Sequence, residues 1–462
     1  MTLPPNFDEP AFHAVRRLDA AVGRGQARVL RVLWFWVPSG SVALNIEFQQ
    51  LLVSRFFTDI ALQALLYGAL IAVARSGGGA VDAAMLGVAY LLPGVVLGMF
   101  GGVVADQLPK RVALAGAYVT MGAISILLPT VIGTSFRSLL LVLFAVRVLH
   151  QVSQPSEASA VPLVATQEEL ASATSFLSFA SSAGEVVGKS MLAPVIVRAY
   201  GVDPVTALAG VFFLFSATRV VNLTPSRPHV RTTGSRGHLD TADVVRWLFA
   251  ERSMLWMLLL GALGSTTSVV LGVLGPQYTR DVLDVDPANA LYVFAPAALG
   301  LVAALAAAPA MIRFMGERRT AMVGFVVIAI AMVALGAVDW ISAHIGWLGL
   351  VNIPHVPSEV ETAAKISIFL GFAITLAAIS VQTYIARRVP LELQGRTFAL
   401  LGVFKDGLAI IALIGLGVAA EAIGVRAMMV LSPALLLGLS FGFDRFAGRW
   451  RQPPRPRGRL GI

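Results

Sequence analysis

The chain has 462 residues, 57% hydrophobic and 13% charged, with a formal net charge of +9. A soluble domain carries about 25% charged residues, so this composition, with a mean hydropathy of +0.78, excludes a water-soluble protein. The absence of cysteine excludes disulfides, thiolate zinc sites and a cysteine nucleophile, and the six histidines are too scattered for a metal cluster. In so apolar a chain the arginines must occupy the short stretches outside lipid, so basic loops at a membrane surface explain the charge better than nucleic acid does.

A bilayer core about 30 Å thick takes roughly 20 apolar residues per helix. The first predicted element, residues 1–47, is a cytoplasmic segment whose apolar run Val29 to Val37 is too short to span. Arg24, Arg28 and Arg31 line its approach, so it reads as an amphipathic helix on the inner surface and not as a cleaved leader. Six spans follow in residues 48–223: Phe48 to Ala74, Ala84 to Ala105, Val112 to Gly133, Ser138 to Val161, Leu170 to Val197 and Pro204 to Leu223. Residues 224–252 carry Pro225, Pro228, Gly234, Gly237 and five arginines, as a cytoplasmic linker between two bundles would. Six more spans lie in residues 253–443: Ser253 to Thr279, Asn289 to Phe314, Thr320 to Val338, Ala363 to Ala386, Thr397 to Ala420 and Arg426 to Phe443. Residues 444–462 form a basic, proline-rich cytoplasmic tail expected to be disordered.

With both termini inside, inner segments hold roughly 25 basic residues and outer loops roughly five, which supports an even number of crossings. The residues after the fourth span, Val161-Pro162-Leu163 with Glu168-Glu169-Leu170, are echoed after the tenth by Val389-Pro390-Leu391-Glu392-Leu393-Gln394-Gly395-Arg396. Two six-helix repeats related by an axis along the membrane normal would place a substrate cavity at their interface near the midplane. Chance likeness between two amphipathic inner loops is the alternative.

Between the second and third spans runs Gly102-Val103-Val104-Ala105-Asp106-Gln107-Leu108-Pro109-Lys110-Arg111. It resembles the loop signature of the major facilitator superfamily: Gly102, Asp106, Lys110 and Arg111 match, while Gln107 and Pro109 depart from it. Gly102 would let helices approach closely. Asp106 could accept hydrogen bonds from helix N-termini or pair with a cation across the halves, latching one conformation. A solvated, positive-inside loop is the plainer reading. The stretch Arg147 to Ser175 and the Val389 to Arg396 loop resemble the branch of that superfamily containing macrolide and siderophore exporters. The resemblance implies an all-α integral membrane protein, with twelve transmembrane helices in two pseudo-symmetric six-helix bundles, and drug-type efflux.

Charges inside the bilayer point most directly to function, because each costs at least a few kcal/mol unless paired or hydrated. Arg55 and Asp59 lie four apart on one face of the first span, able to neutralise each other or to offer Asp59 as a proton acceptor. Arg147, near His150, matches the superfamily's embedded arginine on the fourth span and could couple a carboxylate's protonation to a conformational step. Glu185 and Lys189 form a four-residue pair in the fifth span within Gly184-Glu185-Val186-Val187-Gly188, where Glu185 stands in place of the exporters' usual Pro. Lys405 and Asp406 in the eleventh span are adjacent, point about 100° apart and need a partner on another helix. For each pair a purely structural salt bridge is the competing reading. Glu157, at the inner end of the fourth span, is expected to meet Lys110, Arg111 or their loop as a gating contact, alongside Gly395 and Arg396.

Gln63, Ser265, Thr266, Thr267, Ser268, Tyr292 and Thr375 could line a cavity or hydrogen-bond between helices. No phosphate-binding glycine loop followed by Lys-Ser/Thr is present, which disfavours ATP hydrolysis. The expected function is secondary active transport: proton-coupled efflux of amphipathic or hydrophobic small molecules by alternating access, in a bacterial cytoplasmic membrane. A lipid or lysophospholipid transporter is the second reading, and a non-transporting membrane scaffold the third. The implied partners are a small-molecule substrate, protons and the lipid bilayer, with no nucleic acid, metal or cofactor and a monomeric state. An enzyme is not expected.

Overall fold

A computed structural model describes residues 42, 45–107, 109–165, 170–221, 252–344, 357–388 and 391–448. The expected interfacial helix, nearly all of the linker and the end of the basic tail lie outside these residues. Among the described residues every regular element is helical.

The first bundle comprises α1 (Ile46–Arg75), α2 (Ala80–Gln107), α3 (Lys110–Ile132), α4 (Phe136–Val164), α5 and α6 (Asp203–Val221). The second comprises α7 (Arg252–Asp281), α8 (Ala290–Phe294 continuing as Ala297–Met315), α9 (Glu317–Gly336), α10 (Ser358–Arg388), α11 (Leu391–Ile423) and α12 (Val425–Gly448). Eleven of these segments are individually long and apolar enough to cross a membrane. The remaining one, α5, runs through three pieces: Leu170–Val186, a π-helical turn Val187–Leu192, and Ala193–Tyr200. Its longest regular piece is 17 residues, yet its path is continuous, so the total is twelve among the described residues.

Local chemistry sets the helix ends. Asn45 caps α1 by accepting from the Glu47 N–H, and Ser135 with Ser138 forms a reciprocal capping box on α4. The α5–α6 and α11–α12 connections both turn on a glycine with φ of 86°, Gly201 and Gly424, a left-handed conformation that side chains resist. These two turns lie six helices apart.

Helix pairing repeats with the same offset. In the first half α2 packs on α4, α3 on α4 and α6, and α1 on α4, α5 and α6; in the second α8 packs on α10, α9 on α10 and α12, and α7 on α10, α11 and α12. The two bundles are therefore pseudo-symmetric, as the resemblance implied. They meet chiefly along α2 and α11, with lesser contacts of α7 on α1 and α2. Large apolar side chains such as Phe314, 90% exposed, and Ile411, 70% exposed, face outward, which suits a lipid solvent and would be unfavourable in water.

One sequence expectation is corrected at a helix boundary. Gly395 and Arg396, expected in a loop, lie within the first two turns of α11. Pro390 directly precedes that helix, and Leu391 to Gln394 are all good helix formers, so the chain turns helical at once. Gly102 and Asp106 likewise fall within α2, which reaches Gln107, and Lys110 opens α3. Arg111 is exposed beside it. The side chains of Asp106, Lys110 and Arg396 are outside the described ones.

Candidate functional site

Besides others such as the Glu361–Lys365 pair of α10, the spanning helices carry four carboxylates, Asp59, Glu157, Glu185 and Asp406, and four cations, Arg55, Arg147, Lys189 and Lys405. Their formal charges cancel, which is the condition for keeping ions in a medium of low dielectric.

Arg55 organises the first group. Its Nε lies 2.8 Å from Asp59 Oδ2, its Nη1 donates to Glu157 Oε2 at 2.8 Å, and its Nη2 donates to Ser181 Oγ at 3.2 Å. The i,i+4 spacing delivers Asp59, α4 delivers Glu157 and α5 delivers Ser181, so one planar guanidinium ties three helices together. The Arg55–Asp59 pair was legible in the sequence. Glu157 is corrected: the structure places it on Arg55, because as part of α4 it faces the bundle interior and is 4% exposed. Its second oxygen, Oε1, is buried without a hydrogen-bond partner, while Asp59 Oδ2 meets Arg55 Nε as an ion pair not aligned for a hydrogen bond.

Close helix packing makes this group possible. A Cβ on Gly184 would lie 2.6 Å from Phe56 O, and one on Gly188 would lie 2.5 Å from Ile60 O. The two glycines therefore seat α5 directly on the α1 backbone at the level of Asp59, in the small-xxx-small manner of membrane helices. Between them, Glu185 accepts from Lys189 Nζ at 2.9 Å, across the π-helical turn. Such turns are concentrated at functional positions in helices.

Arg147 holds the central position. Its Nε donates to Tyr90 O at 3.1 Å and its guanidinium stacks 4.4 Å from the centre of the Tyr90 ring. From there its charge bears on Asp59 in its own half and on Asp406 in the other. Asp406 reaches across the interface and presses its carboxylate against Gly94 of α2, where any side chain would collide with it. Lys405, beside Asp406 on α11, adds a positive charge felt by both Asp406 and Glu185. The embedded charges thus lie in both bundles, with the Asp406 carboxylate against Gly94 as the contact that crosses between them. His150, buried beside it, has Nδ1 3.3 Å from Ser153 Oγ and serves α4 locally.

The sequence reading missed the second site, at the bundle end where α1 finishes and α2 begins, opposite Ile46 and Gly448. There Arg75 grips Asp286 in a two-pronged ion pair, Nε to Oδ1 at 2.9 Å and Nη2 to Oδ2 at 2.6 Å. Arg280 Nη1 donates to Ala74 O at 2.9 Å and Gly78 O at 2.8 Å, Arg198 Nη1 donates to Asn289 Oδ1 at 3.0 Å, and Glu421 Oε2 accepts from the Val81 N–H at 3.0 Å. Each contact joins one half to the other, so this end is closed. The hydrogen bonds from Arg75 hold the Asp286 carboxyl below the usual carboxylate range, outweighing the opposing effect of its partial burial. A signal was available: Arg75, Arg198 and Arg280 are among the few basic residues at an end where the loops are nearly free of them.

Among the described residues no group of three or more His, Cys, Asp or Glu side chains could hold a metal ion. The family model described as Major Facilitator Superfamily matches residues 51–413. No curated protein sequence matches the chain significantly. Solved structures of similar fold include the nucleoside transporter NupG, at 13% identity and TM-score 0.66, covering 88% of this chain and 100% of that one. Another is a bacterial homologue of the human lysosomal transporter Spinster in an inward-facing, occupied conformation, at 14% identity and TM-score 0.67, covering 88% and 98%. A third is a bacterial homologue of the iron transporter ferroportin in an inward-facing state, at 16% identity and TM-score 0.62, covering 89% and 100%. Identities this low establish likeness of fold alone. With the family model matched over most of its length and the paired six-helix bundles in place, the chain belongs to the Major Facilitator Superfamily and is an integral, multi-pass membrane protein with a transporter fold.

Proposed function

We propose that the protein is a proton-coupled exporter of amphipathic or hydrophobic small molecules, working by alternating access. The observation that carries this reading is the Asp406 carboxylate of the second bundle seated against Gly94 of the first, one helical turn from the Tyr90 carbonyl that holds Arg147. Protonating Asp406 removes a negative charge from that cross-half contact, and protonating Asp59 removes one from the Arg55 group beside it, so either changes the energy with which the halves hold each other. A ligand shifts a two-state equilibrium only by its differential affinity, and a proton bound at a cross-half charge has such a difference. Moving one charge through 100 mV supplies about 2.3 kcal/mol, enough to bias two conformations that lie close in energy.

The count of basic residues assigns the closed end to the outside, with both termini in the cytoplasm of a bacterial cell. In this arrangement the Arg75–Asp286 latch seals the outer gate while substrate loads from within or from the inner leaflet. The inner segments around Asp106 to Arg111 and Gly395 to Arg396 would supply the opposite gate.

The test is efflux of a fluorescent amphipathic amine from proteoliposomes under an imposed pH gradient. Gradient-dependent efflux by the unaltered chain, lost in Asp59→Asn and in Asp406→Asn with substrate binding retained, is expected. Efflux that continues unchanged in Asp59→Asn, Asp406→Asn and Glu185→Gln would remove these carboxylates from the coupling role.

A further inference from the structure

A recess lies in the wall of the second bundle. It is a cavity of about 230 Å³ between α7, α11 and α12, with Met332 of α9 at its back. Its walls are almost wholly apolar: Leu271 and Leu274 from α7, Leu408 from α11, and Met428 and Leu436 from α12. Among the described residues no charged side chain lines it. Ile411 on α11 and Leu435 on α12, 70% and 60% exposed, also belong to its lining and face lipid, so the recess opens sideways into the bilayer.

The volume restricts the occupant. Sites for drug-sized ligands run from about 300 Å³ upward, so this one suits a slender chain better than a fused ring system. The wall along α7 from Leu263 to Leu274 rises about 16 Å, close to the thickness of one leaflet of a core about 30 Å thick. That is the length an alkyl chain would need.

One polar feature points to the head of such a chain. Thr266 lines the cavity, is 4% exposed, and its Oγ1 is buried without a hydrogen-bond partner. Its neighbour Thr267 is satisfied, donating to Leu263 O at 2.9 Å. A buried hydroxyl without a partner costs free energy that a ligand able to donate or accept would recover. A threonine in a helix has two accessible rotamers, so its hydroxyl can turn onto a ligand without moving the backbone.

We infer that this recess is a binding site for a neutral, single-chain amphiphile, such as a fatty alcohol, with its alkyl chain along α7 and its one polar group on Thr266. As the class of substrate handled by the transporter, the assignment rests on the efflux reading above; as a binding site it stands on the cavity alone. A charged head is excluded by the apolar walls, since an unpaired ion buried there would carry a cost no contact in the recess offsets.

The experiment uses the full chain in nanodiscs and 1-dodecanol carrying a diazirine on its chain, with labelled peptides mapped by mass spectrometry. The expected result is saturable labelling of residues 263–274 and 425–439, displaced by 1-dodecanol but at least about tenfold less well by dodecane or dodecyltrimethylammonium. Thr266→Val, which keeps the shape and removes the hydroxyl, should weaken 1-dodecanol about three- to tenfold and leave dodecane unchanged. Met428→Trp, which fills the space, should abolish the labelling. Labelling that does not saturate, that spreads equally over lipid-facing positions such as Phe314, or that ignores both substitutions would overturn the site. Labelling as expected in a chain that shows no gradient-driven efflux would leave the site standing and remove only its transport role. Efflux without site labelling would do the reverse.

Discussion

Arg55 Nη1 and Glu157 Oε2 lie 2.8 Å apart, although 102 residues separate them in the chain. The same guanidinium also faces Asp59, so removing it strands two buried carboxylates at once. Breaking a buried ion pair by deleting one partner costs about 3–5 kcal/mol, so Arg55→Ala should lower the thermal unfolding temperature in detergent markedly. Adding Asp59→Asn and Glu157→Gln to that variant should restore much of the loss, because neutral amides need no counter-charge. Simple additivity of the three substitutions would show that the groups do not act as a unit.

The span pattern was legible because a helix in lipid must be about 20 apolar residues long, and Gly, Pro and charge mark its ends. The expected first span, Phe48 to Ala74, differs from α1 by two residues at its start and one at its end. Pairs on one helix, Arg55 with Asp59 and Glu185 with Lys189, were legible from their i,i+4 spacing. Partners from other helices were not, since nothing in the linear order brings Glu157, Ser181 and Tyr90 to their arginines. The fifth span's π-helical turn was equally hidden, because hydropathy does not register a one-residue change in winding.

Gly188 tests the seating of α5 on α1. Its missing side chain leaves room for Ile60 O, and overpacking of this kind costs about 1–3 kcal/mol. Gly188→Leu should therefore unfold at lower temperature and lose efflux. Gly272→Leu, at a helical glycine with nothing within 4 Å of its would-be Cβ, should change neither by a comparable amount.

The outer latch has a defined pH dependence. Asp286 has a lower pKa when held by Arg75 than when free, so the latch is at full strength above the ordinary carboxylate value near about 3.9. Its contribution is lost as pH falls through the lowered closed-state value. The latch should accordingly be indifferent to pH between about 5 and 8. Asp286→Asn should shift the outer end toward open at every pH in that range. The natural absence of cysteine allows a direct reading, by spin labels at Tyr200→Cys and Ile423→Cys, both exposed at that end on opposite halves. An unchanged distance distribution in Asp286→Asn would show that the remaining cross-half bonds suffice.

Because the latch does not titrate in that range, any opening there is assigned to the embedded carboxylates and not to the latch. The most direct measurement is the Tyr200–Ile423 label distance in nanodiscs as pH is lowered from about 8 to about 5. The charge network predicts a pH-dependent redistribution between short and long distances in the otherwise unaltered chain, abolished when Asp59→Asn and Asp406→Asn are combined. A redistribution that persists in the combined variant, or none in the unaltered chain, would contradict the assignment of Asp59 and Asp406 as the link between protonation and movement.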